Sequence, residues 1–309
     1  MLRTVLAATL AVVILSAATT AGQSATSTTS PDQKTPETPV TVSRSSQYHL
    51  ASKINGRDYR VMVSTPFKFD PAAAYPVVYV LDANVFFGTV TDAVHFMSFA
   101  KEMAPAIVVG VAYPTDDLTA WVRERRLDLT PTPLSKPSDA GPSGGGDAFL
   151  RVIEEEVKPL IRSRFKIDDA RQTLFGMSFG GLAALRMMFR HPTAFSAYIV
   201  ASPSIWWDNK TVLADEGAFS KRVQTGELNL KVILTSARDE QYHGSDPKLL
   251  AEAQAGARMV DNASELASRL AALNTEKLKL SRIIFEDEVH NSVPHAAISR
   301  GLRLALPVQ

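Results

Sequence analysis

The sequence of 309 residues predicts an α/β fold in a single domain, with one doubly wound, mostly parallel sheet and helices on both faces. Two continuous apolar runs, at residues 76–81 and 106–111, are typical of strands buried on both faces of a parallel sheet. A third apolar run passes through a Gly-x-Ser-x-Gly turn at 176–180 into a helical pattern. Strands alternate with helices along the chain, which favours one sheet covered on both sides.

The other elements follow from periodicity and capping signals. Residues 52–65, with Asn55-Gly56 at the centre, predict a hairpin at an antiparallel edge. Residues 147–165 predict a long helix with Asp147 as its N-cap, because Asp after a glycine run is a typical helix start. The remaining predicted helices are 86–101, 261–273 and 294–305, and the remaining strands are 195–201, 231–236 and 280–285.

Two irregular stretches, 113–146 and 202–219, follow strands of the predicted sheet. In such sheets ligands bind at the carboxyl ends of the strands. Connections this long are usually functional or mobile. We therefore expect the functional site at this edge.

The N-terminal region predicts export. Residues 1–21 combine a short basic start, an apolar stretch and small residues before a plausible cleavage position, which is typical of a secretory signal peptide. A permanent membrane anchor is the less favoured interpretation, because the apolar stretch is short and rich in alanine. Residues 22–45 are rich in Ser, Thr and Pro and predict a disordered spacer. The folded domain is then 46–309, periplasmic or secreted.

Composition excludes several classes of function. The net charge is +1, which gives no reason to expect nucleic acid or an anionic membrane as a partner. The chain has no cysteine, so neither disulfides nor thiolate chemistry contribute. The sequence implies no metal and no organic cofactor, and the oligomeric state is left open.

The Gly-x-Ser-x-Gly turn predicts a nucleophile elbow centred on Ser178. A serine between a strand and a helix is held in a strained turn, and the glycines at 176 and 180 remove side chains that would collide. The backbone N–H of Phe179, at the start of the helix, is then available to a developing oxyanion. A structural turn in which Ser178 is only a helix cap is the alternative.

A serine nucleophile needs a base, and the base needs an orienting acid. Of the six histidines, His290 directly follows the last predicted strand, at the edge that presents Ser178. It is preferred to His295, which falls inside the closing helix. The loop after strand 231–236 offers Asp239 and Glu240, of which we prefer Glu240. A Ser–His dyad without an acid remains open.

Further groups fall beside this edge. We assign a second oxyanion N–H to Asn84, which follows strand 76–81. Trp206 and Trp207 are either packed in the core or a lid, or form an aromatic platform for a substrate ring. The arginines of the cluster 123–126 either line a solvated helix or bind an acidic substrate.

Several motifs together carry a family resemblance. They are YPVVYVLDAN at 75–84, YPT at 113–115 with RLDLTP at 126–131, GGGDAFL at 144–150, the elbow, SPSIWW at 202–207 and HNSVP at 290–294. The chain resembles the esterase D-like branch of the α/β-hydrolases, closest in motifs to esterases that cut the trilactones of enterobactin and salmochelin. The resemblance implies catalytic roles for Ser178 and His290 and a ligand contact for Arg126. The family often has Asp-Gly-Asn where this chain has Asp-Ala-Asn.

The sequence as a whole predicts a serine esterase that acts on a small-molecule ester through an acyl-enzyme. A siderophore trilactone is the favoured substrate, and feruloyl-type or short-chain acyl esters, or acyl transfer in place of hydrolysis, are the alternatives. A non-catalytic periplasmic binding protein of the same fold is the alternative from a different class.

Overall fold

The computed structural model of the protein describes residues 37–134 and 141–308. The expected signal peptide, and the expected spacer as far as residue 36, lie outside these ranges. From Thr41 onward the chain forms one compact unit. In the described ranges, no helix combines the length and the apolar character needed to cross a membrane.

Eight strands form one sheet, in the order β1-β2-β4-β3-β5-β6-β7-β8. The first three strands in this order pair antiparallel, and all other pairs are parallel. The strands are β1 (Ser45–Ala51), β2 (Asp58–Ser64), β3 (Tyr75–Val80), β4 (Ile107–Ala112), β5 (Ile167–Met177), β6 (Ala197–Ala201), β7 (Leu230–Ala237) and β8 (Leu278–Phe285). The predicted fold class is confirmed.

Helices connect the parallel strands and cover both faces. They are α1 (Ala83–Phe99), α2 (Leu118–Leu129), α3 (Gly146–Val152), α4 (Lys158–Arg162), α5 (Phe179–Arg190), the short α6 (Trp207–Lys210), α7 (Glu216–Gln224), α8 (Pro247–Ala255), α9 (Met259–Ala271) and α10 (Val293–Ala305). The strands β3 and β4 are fully buried, as their continuous apolar runs predict.

The core has two layers, one on each face of the sheet. One layer packs α1 and α10 against the sheet, and the other packs α3, α5, α7 and α9. Gly301 of α10 lies directly on β6, where a Cβ on the glycine would come within 2.5 Å of the Ile199 side chain. The helix that follows His290 is therefore seated on the sheet in close contact with a central strand.

The predicted helix 147–165 is wrong in detail. The structure has α3, then a π-helical turn at Ile153–Val157, then α4. The N-cap is Gly145, and Asp147 lies inside the first turn. The Asp147 carboxylate accepts hydrogen bonds from Arg186 and Arg190 of α5 instead of capping. A tertiary ion pair has replaced the local cap.

The two stretches interpreted as irregular contain helices. Helix α2 lies within 113–146, and α7 begins within 202–219. Helix α8 was not predicted, and β5 begins six residues before the elbow's apolar run at 173. The N-terminal hairpin begins earlier than the predicted range of 52–65. Its first strand, β1, ends at Ala51, and residues 52–57 form the turn.

Candidate functional site

The candidate nucleophile Ser178 stands between β5 and α5. Its backbone has φ 60° and ψ −116°, a conformation that a residue with a side chain rarely adopts. Its N–H donates to the carbonyl of Ala201 at 3.0 Å, which ties the turn to the end of β6. The surrounding structure thus holds the strained residue in place.

Close backbone contacts explain the glycines around the elbow. A Cβ on Gly176 would lie 2.1 Å from the carbonyl oxygen of Gly180, and one on Gly181 would lie 2.9 Å from the carbonyl oxygen of Ala201. Real Cβ atoms do not approach backbone atoms that closely. The strand and helix can therefore fold back on each other only with glycine at these positions.

His290 lies beside the serine hydroxyl. Its Nε2 is 3.0 Å from Ser178 Oγ, which is hydrogen-bonding distance. The histidine follows β8 and precedes α10, so it is held at the carboxyl edge of the sheet by a strand on one side and a packed helix on the other. His295, the less favoured histidine, is exposed in α10, with its Nδ1 3.5 Å from the carbonyl oxygen of Ser292.

Glu240 completes a continuous hydrogen-bonded chain. Its Oε1 lies 2.6 Å from His290 Nδ1, and its Oε2 accepts from the backbone N–H of Ala237 at 3.1 Å. The carboxylate side chain is 1% exposed, whereas the side chain of Asp239 is well exposed and lies 3.9 Å from His243. Of the two adjacent carboxylates, the structure brings only Glu240 to the histidine.

A half-buried cation, Arg282, lies in the same region as Glu240. Arg282 of β8 donates to Ser236 Oγ at 3.1 Å and to Ser264 Oγ at 3.2 Å. Burial lowers the pKa of Arg282 to about 10, and the negative charge of Glu240 acts in the opposite direction. Arg282 therefore stays protonated at neutral pH and places a positive charge near the Glu240 carboxylate.

Two free backbone N–H groups stand near the elbow. Among the described residues, the N–H groups of Phe179 and Asn84 have no hydrogen-bond acceptor, since each belongs to the first turn of its helix. The Asn84 side chain is occupied by the loop after β4. It accepts from Tyr113 N–H at 2.8 Å and donates to the carbonyls of Tyr113 and Thr115. Asn84 is thus fixed from outside its helix.

The two tryptophans have different environments. Trp206 is 38% exposed and borders a cavity of about 220 Å³ beside the serine. Trp207 is 1% exposed, and its indole N–H donates to Thr132. The expected substrate platform therefore has to be corrected for Trp207, which packs in the core with its ring 5.2 Å from that of Phe179.

Arg126, for which the resemblance implies a ligand contact, does not line the cavity beside the serine. Its guanidinium lies 5.3 Å from the centre of the Trp207 ring. The cavity beside the serine is lined by other residues: Ser178, Phe179, Ser204, Trp206, Glu240, Met259 and His290. Ser204 and Met259 were not predicted. Ser204 Oγ is 3.4 Å from Ser178 Oγ, and its position just after β6 was the available signal.

The preceding residue, Arg125, makes a contact that the sequence did not predict. Arg125 forms a two-pronged ion pair with Asp82, the second residue after β3, at 2.8 and 2.9 Å. Both side chains are largely buried. The four-residue spacing of Trp121 and Arg125 places them on one helix face and was the signal for an inward orientation.

A strained serine, a histidine and a buried carboxylate at the carboxyl edge of such a sheet form the arrangement of an α/β-hydrolase. Residues 52–271 match the sequence profile of the family described as "Putative esterase". The chain belongs to this esterase family. It is a carboxylic ester hydrolase of the serine hydrolase type.

Individual relatives are similar over most of the chain. The ferri-bacillibactin esterase BesA of Bacillus subtilis is 36% identical over 266 residues, which cover 83% of this chain and 88% of the relative. A siderophore triacetylfusarinine C esterase of Aspergillus fumigatus is 31% identical over 283 residues, with 86% and 94% covered. The crystal structure of the BES protein from Bacillus cereus superposes with a TM-score of 0.77 at 35% identity, over 89% of this chain and 100% of that one.

Proposed function

We propose that the protein is a siderophore esterase in which Ser178 is the nucleophile, His290 the general base and Glu240 the orienting acid. The observation that carries the proposal is the hydrogen-bonded chain from Glu240 through His290 to Ser178. The names of the relatives support the siderophore as the substrate class.

The reaction proceeds through an acyl-enzyme. His290 Nε2 takes the proton of the Ser178 hydroxyl while Oγ attacks the ester carbonyl, and it then gives that proton to the leaving alcohol. In the second half, His290 takes a proton from water, which attacks the acyl-serine, and returns it to Ser178 Oγ as the bond to the acyl group breaks and the acid leaves. Glu240 keeps the proton-bearing Nδ1 of His290 directed toward itself and stabilises the imidazolium that forms in each half.

Both tetrahedral intermediates carry a negative oxygen that needs donors. The N–H groups of Phe179 and Asn84 supply these donors in our proposal, because each is without another acceptor in the described chain and each lies at a helix N-terminus. Since such backbone donors are fixed before the substrate arrives, they cost little reorganisation during the reaction.

The surface around the serine favours a large substrate. Trp206 borders the cavity beside Ser178 and also a second one of about 590 Å³, whose polar lining includes Lys210, Arg258 and Asn262. A short acyl ester fills only the first cavity. A siderophore with several arms reaches both, with Trp206 as the surface that they share.

The test compares hydrolysis of ferri-bacillibactin, triacetylfusarinine C, enterobactin, a feruloyl ester and p-nitrophenyl acetate by the wild type and by Ser178→Ala. We expect a higher kcat/KM for a siderophore than for the other two esters, and loss of turnover in the variant. Preference for the feruloyl or the acetyl ester would overturn the siderophore assignment. Undiminished turnover by Ser178→Ala would overturn the mechanism.

Two further outcomes address the other classes of function. Ester products that form with an added alcohol, in place of free acid, would make the protein an acyltransferase. If the wild type hydrolyses none of these esters, a fluorophosphonate probe is applied to Ser178. Labelling would indicate a competent nucleophile with a different substrate, whereas no labelling would indicate a binding protein.

We also propose that residues 1–21 are removed on export, that 22–45 form a spacer and that 46–309 form the esterase domain. The three-part pattern of the first 21 residues supports this organisation. N-terminal sequencing of the protein recovered from the periplasm or the medium tests it. A first residue of Gly22 is expected, and a full-length protein retained in the membrane would contradict it.

A further inference from the structure

Asp82 occupies the N-cap position of α1 but does not cap the helix. An aspartate at this position normally accepts a hydrogen bond from a backbone N–H of the first turn. Here the side chain makes no such bond, and the backbone is left-handed, with φ 54° and ψ 41°. The first-turn N–H groups of α1 therefore keep no side-chain acceptor from their own cap.

Arg125 accounts for the orientation of this carboxylate. Its Nε donates to Asp82 Oδ1 at 2.9 Å, and its Nη2 donates to Oδ2 at 2.8 Å. The Asp82 side chain is 0% exposed, so water does not compete for it. A two-pronged pair of this kind fixes the direction of the carboxylate as well as its position.

The same guanidinium also contacts the other side of the elbow. Its central carbon lies 5.2 Å from the ring centre of Phe179 and 4.9 Å from that of Trp121. The carboxylate in turn lies beside the first turn of α5, since a Cβ on Gly180 would come within 3.2 Å of Asp82 Oδ2. Arg125 thus touches both segments that carry the two N–H groups assigned to the oxyanion hole.

We propose that Arg125 is a positioning residue that keeps the Asp82 carboxylate away from the first-turn N–H groups of α1 and neutralises its charge. This proposal rests on the proposed function, because it concerns the oxyanion hole of the same site. Without Arg125, Asp82 is free to turn and cap its own helix. A backbone N–H of the proposed oxyanion hole would then donate to the Asp82 carboxylate instead of the substrate. An unpaired negative charge would also lie near the developing oxyanion.

The effect of removing the Asp82 carboxylate distinguishes a positioning role of Arg125 from a purely structural role. If Arg125 only supported the fold, removal of its buried partner Asp82 would restore the stability of an Arg125 variant, and kcat and ketone affinity of the folded protein would stay at the wild-type level in every variant. If Arg125 restrains a harmful carboxylate, removal of Asp82 should instead restore the kcat and the ketone affinity that the folded Arg125 variant has lost. A double-mutant cycle in kcat and ketone affinity, measured on folded protein, is therefore diagnostic.

The experiment measures kcat and KM for p-nitrophenyl acetate in the wild type, Arg125→Met, Asp82→Ala and the double variant. A trifluoromethyl ketone is the second probe, since its adduct with Ser178 carries an oxyanion. Arg125→Met should lower kcat and ketone affinity by the same factor, about 10- to 100-fold, with KM little changed. The double variant should recover most of this loss. Arg123→Met, an exposed arginine of the same helix, is the matched control and should match the wild type.

Several outcomes would overturn the inference: an unchanged kcat in Arg125→Met, a loss of kcat with unchanged ketone affinity, or a double variant that is worse than Arg125→Met.

If Arg125→Met does not fold, Asp82→Asn and Arg125→Lys replace it. Asp82→Asn removes the charge and should stay active. Arg125→Lys keeps the charge but loses the fork and should lose part of kcat and of ketone affinity together, and full activity there would count against the inference. A wild type that turns over no ester and binds no ketone would instead contradict the proposed function.

Discussion

His290 Nδ1 lies 2.6 Å from Oε1 of Glu240, although 50 positions separate the two residues in the sequence. The contact joins the loop after β7 to the loop after β8. A backbone hydrogen bond from Asp239 N–H to the carbonyl of Glu288 at 3.0 Å fastens the same two loops. His290 and Glu240 are therefore held together by a main-chain hydrogen bond between their loops as well as by their own side chains.

Glu240→Gln should lower kcat by about 10² to 10⁴ with little change in KM, because the amide cannot hold His290 in the required tautomer or stabilise its cation. Steady-state kinetics on p-nitrophenyl acetate check this. Asp239→Asn is the matched control, since that exposed carboxylate does not contact His290. A loss of activity in the control as large as in Glu240→Gln would contradict the assignment.

The neighbouring tryptophans should respond differently to replacement by alanine. Trp206→Ala should raise KM for a siderophore about tenfold by removing an exposed aromatic contact, and should leave p-nitrophenyl acetate hydrolysis nearly unchanged. Trp207→Ala should lower the free energy of unfolding by about 3 to 5 kcal/mol, because it empties a filled core site. Kinetics and urea unfolding on both variants separate the two effects, and interchanged results would refute the distinction.

Replacement of each of two glycines by alanine should change the free energy of unfolding in opposite directions. Gly176→Ala places a Cβ 2.1 Å from a backbone oxygen, and we expect it to lower the free energy of unfolding by about 3 kcal/mol or more. Gly217→Ala, in the exposed first turn of α7 with no atom within 4 Å of the new Cβ, should raise it by about 0.5 to 1 kcal/mol. Urea unfolding measures both, and the idea of a close backbone contact fails if Gly176→Ala is neutral.

Asp128 should make stability depend on pH. Burial raises the pKa of Asp128 from its ordinary value to about 6, although the nearby Arg57 cation lowers it. The folded protein therefore binds this proton more tightly than the unfolded chain does. The associated stability is fully present below about pH 4 and is lost as the pH rises through about 6.

Asp128→Asn, which is neutral at every pH, serves as the reference for this effect. The free energy of unfolding of the wild type minus that of the variant should fall by on the order of 2 kcal/mol between pH 4 and pH 7. Urea unfolding across this range gives the difference. A difference that is constant with pH, or that rises with it, would show that the pKa of Asp128 is not raised.

The sheet was predictable because its signals are local. Continuous apolar runs identify β3 and β4, and the elbow fixes the boundary between β5 and α5 to within a residue. The missed elements depend on tertiary contacts. Asp147 has good capping chemistry but is taken up by Arg186 and Arg190. The π-helical turn at Ile153–Val157 has no local sequence signal of its own.

The site was predictable wherever a side chain directly follows a strand. Ser178, Glu240 and His290 all come from the carboxyl ends of strands, so topology alone places them at one edge. The contacts beyond them depend on which side of a helix faces inward. The segment around residues 123–126 offered three arginines. The resemblance implied a ligand contact for Arg126, and the ion pair of Arg125 with Asp82 was not predicted. The sequence likewise does not show which of Trp206 and Trp207 is buried, because that depends on the packing around them.

The close packing of Gly301 against Ile199 connects a position far from the candidate site to the distance between His290 and Ser178. Any larger residue at 301 has to displace the Ile199 side chain or lift α10 from β6. The start of this helix lies three residues after His290, so we expect a lifted helix to move that side chain. The imidazole would shift relative to Ser178 even though residue 301 never meets a substrate. In a screen of random variants for esterase activity, substitutions at position 301 should therefore lower activity as those at the candidate site do, because this residue sets the distance between His290 and Ser178.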